Sequence, residues 1–208
     1  MTESATGIIL RTRPLTETSL IVNWLTAAQG RISTVAKGAR RPKSPFAGKL
    51  DLFYEAEFSF TRSRRSDLHA LREMNLQETH APLRREMGWL QQASYAAALI
   101  EQSTERDTPL PAIHALLHGL LTYLPLQPPQ PRTVYAFELK LLEEHGLRPE
   151  IEETKLSPAT QKTIHALTHH DWSELSHLLA TAPQARELRQ FLHRFLLFHL
   201  GRIPKGRP

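Results

Sequence analysis

Two short groups of cations are the residues in this chain best suited to a chemical role. The first group lies in the stretch 34–44, TVAKGARRPKS, and comprises Lys37, Arg40, Arg41 and Lys43, here called the loop cations. The second basic group lies in TRSRRSD and comprises Arg62, Arg64 and Arg65. Lysine and arginine neutralise phosphates and release counterions, which gives affinity for a nucleic-acid backbone without reading its sequence. Because both groups lie in loops beside neighbouring strands, we expect them to converge on one DNA-binding surface.

The stretch 34–44 has three other interpretations: a nucleotide-binding loop, a targeting signal and a passive linker. AKGAR does not have the GxxxxGK[ST] spacing that cradles a nucleotide. A targeting signal or a linker would give no reason for the second basic group. A basic surface that serves only solubility remains the alternative to DNA binding.

Aromatic side chains near the cations could stack on exposed bases. Phe53 falls on the solvent-facing side of the alternating stretch LDLFYEAEFSF, and Trp24 lies on another predicted strand. Ordinary packing in the core or at its rim is the favoured interpretation of both, with base stacking as the alternative.

Metal binding and catalysis have little support in the sequence. His114 and His118, and separately His165 and His169, lie four residues apart on predicted helices, but neither pair has an obvious carboxylate as a third ligand on its face. There is no cysteine, no GxSxG and no HExxH. We therefore predict no catalytic residue, no metal and no cofactor, and a protein that is not an enzyme.

The charge is unevenly distributed along the 208 residues, which carry a net charge of +5. Residues 1–85 contain fourteen Lys and Arg against eight Asp and Glu, so the basic excess lies in the N-terminal part. The absence of cysteine, of a signal-like N-terminus and of an apolar run of about 20 residues predicts a cytoplasmic protein that does not span a membrane.

Alternating polarity predicts five strands in the first eighty residues, in stretches joined by turn formers. The stretches are GIILRTRPL, SLIVNWLT, RISTVAKG, LDLFYEAEFSF and DLHALREMNL, the last with Leu68, Ala70, Met74 and Leu76 on one face. Five short strands without long helices between them indicate a small closed antiparallel barrel similar to the OB-fold.

From Pro82 onward the apolar residues recur at helical spacing. Ser157 and Gly146 are placed as an N-cap and a C-terminal stop, and DWSELSHLLATA is predicted to be a helix with an acidic cap. The predicted fold class is α+β with two domains: residues 1-80 form a five-stranded, OB-fold-like nucleic-acid-binding barrel, and residues 81-208 form an all-α helical domain.

Three stretches, in order along the chain, resemble the bacterial recombination mediator RecO. They are a Gly-Ile-Ile-Leu strand leading to ETS, the run from Thr26 to Ser44 with AKGARR and KS, and the helix FELKLLEEHGLRP with its closing Gly-Leu-x-Pro. The final FLHRFLLFHLG is also similar to the last helix of the family. The succession of these pieces spans nearly the whole chain and is more specific than any one of them.

The resemblance implies an N-terminal OB-fold, a helical domain and a role without catalysis. It implies binding of single- and double-stranded DNA, annealing of complementary strands, and action with RecR to place RecA on DNA covered by single-strand binding protein. The family's DNA-binding character carries over most directly to the loop cations, which stand in the matching motif. The second basic group depends on its charge alone.

The chain departs from the family at one point. Many RecO proteins carry a four-cysteine zinc module after the Gly-Leu-x-Pro segment, whereas Pro149 is followed here by a stretch without cysteine. The resemblance therefore does not extend to zinc. A protein-interaction adaptor, whose helical domain binds an acidic or amphipathic peptide, remains the alternative function.

Overall fold

The computed structural model describes residues 2–178 and 180–207 and contains a closed barrel of five strands. The strands are β1 (Thr2–Pro14), β2 (Leu20–Thr26), β3 (Gly30–Ala36), β4 (Glu55–Thr61) and β5 (Leu68–Glu78). They are hydrogen-bonded in the order β1-β2-β3-β5-β4, and β4 closes the barrel onto β1. The strand pairs are antiparallel except for β3 and β5, which run parallel. This is the arrangement of an OB-fold, as the sequence predicted.

The alternating residues of the strands fill the barrel interior. Trp24 stacks on Phe58 with ring centroids 4.0 Å apart, and its Nε1 donates a hydrogen bond of 2.8 Å to Thr34 Oγ1. Trp24 is 0% exposed and Phe53 is 1% exposed. Neither ring can therefore stack on a base, and packing is the correct interpretation of both.

The strand predicted across LDLFYEAEFSF begins later than expected, at Glu55. Phe53 has a φ of 66°, a left-handed conformation that interrupts an extended strand. Its amide donates to Ile9 O at 2.8 Å, and Ile9 N donates to Tyr54 O at 2.9 Å. The chain thus turns at Phe53, and for this reason Phe53 is buried, although the alternation placed it on the solvent side.

The prediction that Leu68, Ala70, Met74 and Leu76 share one face of β5 is wrong. His69 and Leu71 are buried, whereas the predicted residues Leu68 and Ala70 are only partly buried. The cause is a register shift: Ser59 pairs with Glu73 and Phe60 with Leu71, which leaves Arg72 as an extra residue. One extra residue exchanges the two faces of a strand. The core side therefore carries the even-numbered residue Met74 after Arg72, and the odd-numbered residues His69 and Leu71 before it.

Gly30 opens β3 in a conformation that only glycine fits. Its φ is +67°, and a Cβ at this position would lie 1.7 Å from Thr108 O. Gly48 also has a positive φ, +72°, but nothing lies within 4 Å of its Cβ position.

We expect Gly30→Ala to lower the free energy of unfolding by about 2 kcal/mol more than Gly48→Ala does, because both changes strain the backbone but only the first creates a clash with backbone. Urea unfolding of the two variants measures the difference. Equal losses would contradict the close approach of Thr108 to Gly30.

The rest of the chain contains five α-helices and four short 3-10 helices in the described residues. The α-helices are α1 (Met87–Ser103), α2 (Pro111–Tyr123), α3 (Pro131–Glu144), α4 (Pro158–His169) and α5 (Ala182–Leu200). The 3-10 helices are Ala81–Arg85, Leu124–Leu126, Ile151–Glu153 and Glu174–His177. Ser157 caps α4 by accepting a hydrogen bond from Thr160 N, and Gly146 follows α3 with a φ of 69°. Ser157 thus marks the start of α4 and Gly146 marks the end of α3, as the sequence predicted.

The α-helix predicted across DWSELSHLLATA does not form in its described residues: they contain the 3-10 turn Glu174–His177, and only the last of them, Ala182, belongs to an α-helix, as the first residue of α5. The Arg132 guanidinium donates hydrogen bonds to Ser176 O and Leu178 O. These carbonyls are occupied by a side chain from α3, so they do not continue a helical ladder.

The chain folds into two compact units. The barrel unit contains Met1–Ala81 and Thr104–His118, and the helical unit contains Pro82–Ser103 and Gly119–Pro208. Leucine and isoleucine side chains of α3, α4 and α5 form the core of the helical unit, among them Leu139, Leu142, Ile164, Leu167, Leu188 and Leu192. In the described parts of both units, no helix combines the length and the apolar character needed to cross a bilayer. The division at residue 80 into functional domains remains a prediction.

Candidate nucleic-acid interface

The connection from β3 to β4 carries the loop cations and is anchored to the barrel before Arg40 and after Lys43. Ala39 and Phe46 are buried in the barrel core. Arg40 N donates to Thr18 O at 2.9 Å, and Gly38 N donates to Ser19 Oγ at 3.3 Å, which ties the connection to the β1–β2 loop. The small side chain of Ala39 and the ring of Phe46 therefore hold the backbone while the residues between them face outward.

All of the loop cations are exposed. Arg40 Nη1 lies 3.4 Å from Thr16 O, a neutral carbonyl that leaves the charge uncompensated. In the part of the chain that the structure describes, none of the loop cations forms an ion pair with a carboxylate. Lys49, further along the same connection, is a fifth exposed cation that the sequence analysis did not single out. The surface can therefore accept phosphates without first breaking internal ion pairs.

The second basic group divides into two kinds of residue. Arg64 and Arg65 are exposed. Arg62 instead forms ion pairs with Glu3 at 3.0 Å and with Asp107 at 2.7 Å. The hydrogen bond that Arg62 donates to Glu3 raises the pKa of Arg62, and the same bond lowers the pKa of the Glu3 carboxyl. Arg62 thus joins the end of β4 to the start of β1 and to the segment after Thr104.

The two basic groups lie toward opposite ends of β3, and their convergence on one DNA-binding surface stays a prediction. The loop cations follow Ala36, the last residue of β3, whereas the second basic group precedes Leu68, which pairs with Ser33. Because β3 and β5 run parallel, the segment before Leu68 extends toward the opposite end of β3. The carboxylate of Asp67 in this segment accordingly lies 3.5 Å from the guanidinium of Arg106. The backbone of Arg106 in turn pairs in an isolated β-bridge with Arg31, near the start of β3. A nucleic acid that touches both groups must therefore cross the barrel along β3.

A carboxylate that is not evident from the sequence lies beside the first histidine pair, His114 and His118. Glu55, the first residue of β4, places Oε2 2.9 Å from His118 Nδ1 and Oε1 3.9 Å from His114 Nε2. Glu55 is about sixty residues away from α2 in the sequence, so helical spacing could not reveal it. The helical face of this pair offers no carboxylate, as predicted from the spacing, but β4 supplies one from elsewhere in the chain.

Comparison with known proteins gives matches to two family models. Residues 1–80 match the model described as "Recombination protein O N terminal", and residues 90–154 match "Recombination protein O C terminal". The N-terminal match covers the five strands of the barrel and the connection that carries the loop cations.

Several curated relatives bear the name "DNA repair protein RecO". One from Anaeromyxobacter dehalogenans is 28% identical, over 95% of this chain and 91% of the relative. One from Bacillus subtilis is 25% identical, over 95% of this chain and 79% of the relative. One from Anaeromyxobacter sp. strain K is 32% identical over 71% of this chain, and the match spans 58% of that relative's length. Two family models in their expected order, on a chain whose barrel has the OB-fold arrangement, show that this chain belongs to the RecO family of DNA repair proteins.

Proposed function

We propose that this protein is a DNA-binding recombination mediator that anneals complementary strands and, together with RecR, helps to load RecA on DNA covered by single-strand binding protein. One observation carries the DNA-binding part. It is the set of loop cations, exposed and without carboxylate partners in the described residues, on a connection anchored to the barrel. The proposal of RecR, RecA and single-strand binding protein as partners is supported only by membership of the RecO family. The protein would act in the cytoplasm and without catalysis.

The proposed mechanism is electrostatic. Cations that have no internal counter-charge replace the counterions condensed on a DNA backbone, and the release of those counterions drives binding. Two strands bound to the same positive surface repel each other less, so complementary bases meet more often. Arg64 and Arg65 would extend the contact at the other end of β3, whereas Arg62 holds the barrel together through Glu3 and Asp107. No bond is formed or broken in these steps.

We expect the full chain, without any partner, to bind labelled single strands and double strands with an affinity that falls linearly with salt on logarithmic axes. Fluorescence anisotropy against salt concentration measures the slope. A fluorescence-quenching assay on complementary strands then measures annealing, which we expect the protein to accelerate. If naked oligonucleotides do not bind at low salt, the proposal is wrong.

The adaptor function has one feature in its favour, on α5. The exposed side chains there include Leu197 and Phe198, at 47% and 84% exposure, together with Arg186 and Arg194. Apolar and basic residues on one helix suit an acidic, amphipathic peptide. An adaptor would bind such a peptide but would show no salt-dependent binding of naked DNA, so the same anisotropy series separates the two functions.

A further inference from the structure

Glu55, His80 and His118 of the barrel unit form a compact group of potential metal ligands. Each offers one ligand atom, and these atoms all lie within 4.8 Å of one another. We propose that this group is a binding site for a divalent transition metal and that Zn²⁺ is the ion it suits. This site is separate from the four-cysteine module of relatives, for which this chain has no cysteine.

The donor set determines the class of ion. Two imidazole nitrogens and one carboxylate oxygen are borderline ligands that bind Zn²⁺ well, whereas Mg²⁺ and Ca²⁺ require mostly oxygen. Bonds of about 2.0–2.1 Å in a tetrahedral site separate the ligand atoms by about 3.3 Å. His118 Nδ1 and Glu55 Oε2 are already 2.9 Å apart, so binding requires only small side-chain movements to bring in His80.

His114 is placed to complete the coordination. It lies one helical turn before His118 on α2, so both imidazoles lie on the same face of the helix. His114 Nε2 is buried, lies 3.9 Å from Glu55 Oε1, and has no hydrogen-bond partner among the described residues. A buried ring nitrogen without a hydrogen bond is costly unless something binds it, and a metal ion on Glu55 would supply that partner.

The backbone near the group has two irregular features. A register shift between Glu55 and Ala56 places Glu55 opposite Glu78 at the end of β5. Two residues further on, His80 has a φ of 45°, which is uncommon for a residue other than glycine, and the residue is only 6% exposed. Glu78 Oε1 holds this turn by accepting hydrogen bonds from Thr79 N at 2.8 Å and His80 N at 2.9 Å. Strained, well-supported conformations of this kind occur often at ligand-binding sites.

A bound ion would link the start of β4, the turn after β5 and helix α2. Its role would then be structural, since it would tie the segment Thr104–His118 to the strands of the same unit. The alternative is an ordinary ion pair between His118 and Glu55 without any metal. The two differ in whether the protein binds one Zn²⁺ that depends on Glu55 and His80.

The test uses the untagged full-length chain, because a polyhistidine tag would itself bind zinc. The protein is dialysed against a chelator and titrated with zinc sulfate in competition with a chromophoric chelator. We expect one tightly bound equivalent, and at least tenfold weaker binding in Glu55→Gln, in His118→Ala and in His80→Gly. Glycine accommodates the positive φ of His80, so the last variant removes the imidazole without adding strain.

The matched control is the double variant His165→Gln and His169→Gln. These two residues have the same spacing on α4, with rings 4.5 Å apart, and they do not belong to the proposed site. The control should bind zinc within twofold of the unchanged protein. Zinc should also raise the melting temperature of the unchanged protein and of the control, but not that of Glu55→Gln, whose own fold is checked by circular dichroism. Zinc binding that survives Glu55→Gln and His80→Gly, or no binding at all, would overturn the proposal.

Discussion

Changing all of the loop cations to alanine is expected to reduce affinity for single-stranded DNA several hundredfold at 0.1 M salt. Each cation that contacts one phosphate contributes about 0.7 to the slope of log affinity against log salt on a single strand. Four such contacts contribute about 2.8, so the variant should show both weaker binding and a flatter salt dependence. Annealing should slow in parallel, because it requires two strands on the same surface. Anisotropy at a series of salt concentrations measures both quantities.

The control must remove the same charge from elsewhere in the chain. Lys155, Lys162, Arg186 and Arg194 are four exposed cations of the helical unit, and their change to alanine lowers the net charge by the same amount. We expect this control to lose less than tenfold in affinity. If both variants lose affinity equally, net charge and not the connection between β3 and β4 determines binding, and the assignment of the loop cations fails.

The loop variant should fold normally, which makes its DNA binding interpretable. The anchors of the connection are Ala39, Phe46 and backbone hydrogen bonds, none of which the substitutions change. The side chains to be replaced are exposed. Substitutions at exposed sites of this kind usually change the free energy of unfolding by less than about 0.5 kcal/mol.

Local patterns were enough to predict most of the elements. Leu20–Thr26 and Gly30–Ala36 form strands where the sequence predicted them, and Ser157 and Gly146 mark helix ends by their own chemistry. The predictions of secondary structure fail where a contact with a residue distant in the sequence determines the local conformation. The turn at Phe53 depends on hydrogen bonds to Ile9, and the 3-10 turn at Glu174–His177 depends on Arg132 of α3. Neither contact leaves a periodic signal near the residue that it changes.

The candidate site shows the same limit. Charge alone identified both basic groups, but it could not distinguish Arg62 from Arg64. The distinction depends on Glu3, which lies 59 residues away in the sequence, and on Asp107, which lies 45 residues away. Arg207 is a similar case: in the sequence it belongs to the basic tail RIPKGRP, and in the structure its side chain is only 9% exposed.

Arg207 is the cation of a buried network in the helical unit. Its Nε donates to Glu138 Oε1 at 2.6 Å and its Nη2 donates to Glu138 Oε2 at 2.7 Å. Tyr95 donates its hydroxyl to the same carboxylate at 2.6 Å. Burial by itself lowers the pKa of Arg207. The hydrogen bonds to Glu138 and its negative charge together raise the pKa by more than burial lowers it, so the pKa lies above its usual value. Burial beside Glu138 also raises the pKa of Tyr95.

We expect Arg207→Ala to lower the free energy of unfolding of the helical unit by roughly 3–5 kcal/mol, because it leaves a buried carboxylate without its cation. Glu138 is 0% exposed, so water cannot replace the guanidinium without local opening. Urea unfolding followed by circular dichroism measures the loss. Lys205→Ala is the matched control, since Lys205 lies in the same tail but is exposed, and its loss should stay within about 0.5 kcal/mol.

A double-mutant cycle then separates the ion pair from simple loss of packing. Arg207 also places its guanidinium 5.3 Å from the Tyr135 ring centre, so part of its contribution does not involve Glu138. If the charge of Glu138 dominates, Arg207→Ala should cost about 2 kcal/mol less in a Glu138→Gln background than in the unchanged chain. Equal costs in both backgrounds would mean that Arg207 stabilises the helical unit through its contact with Tyr135 and not through Glu138.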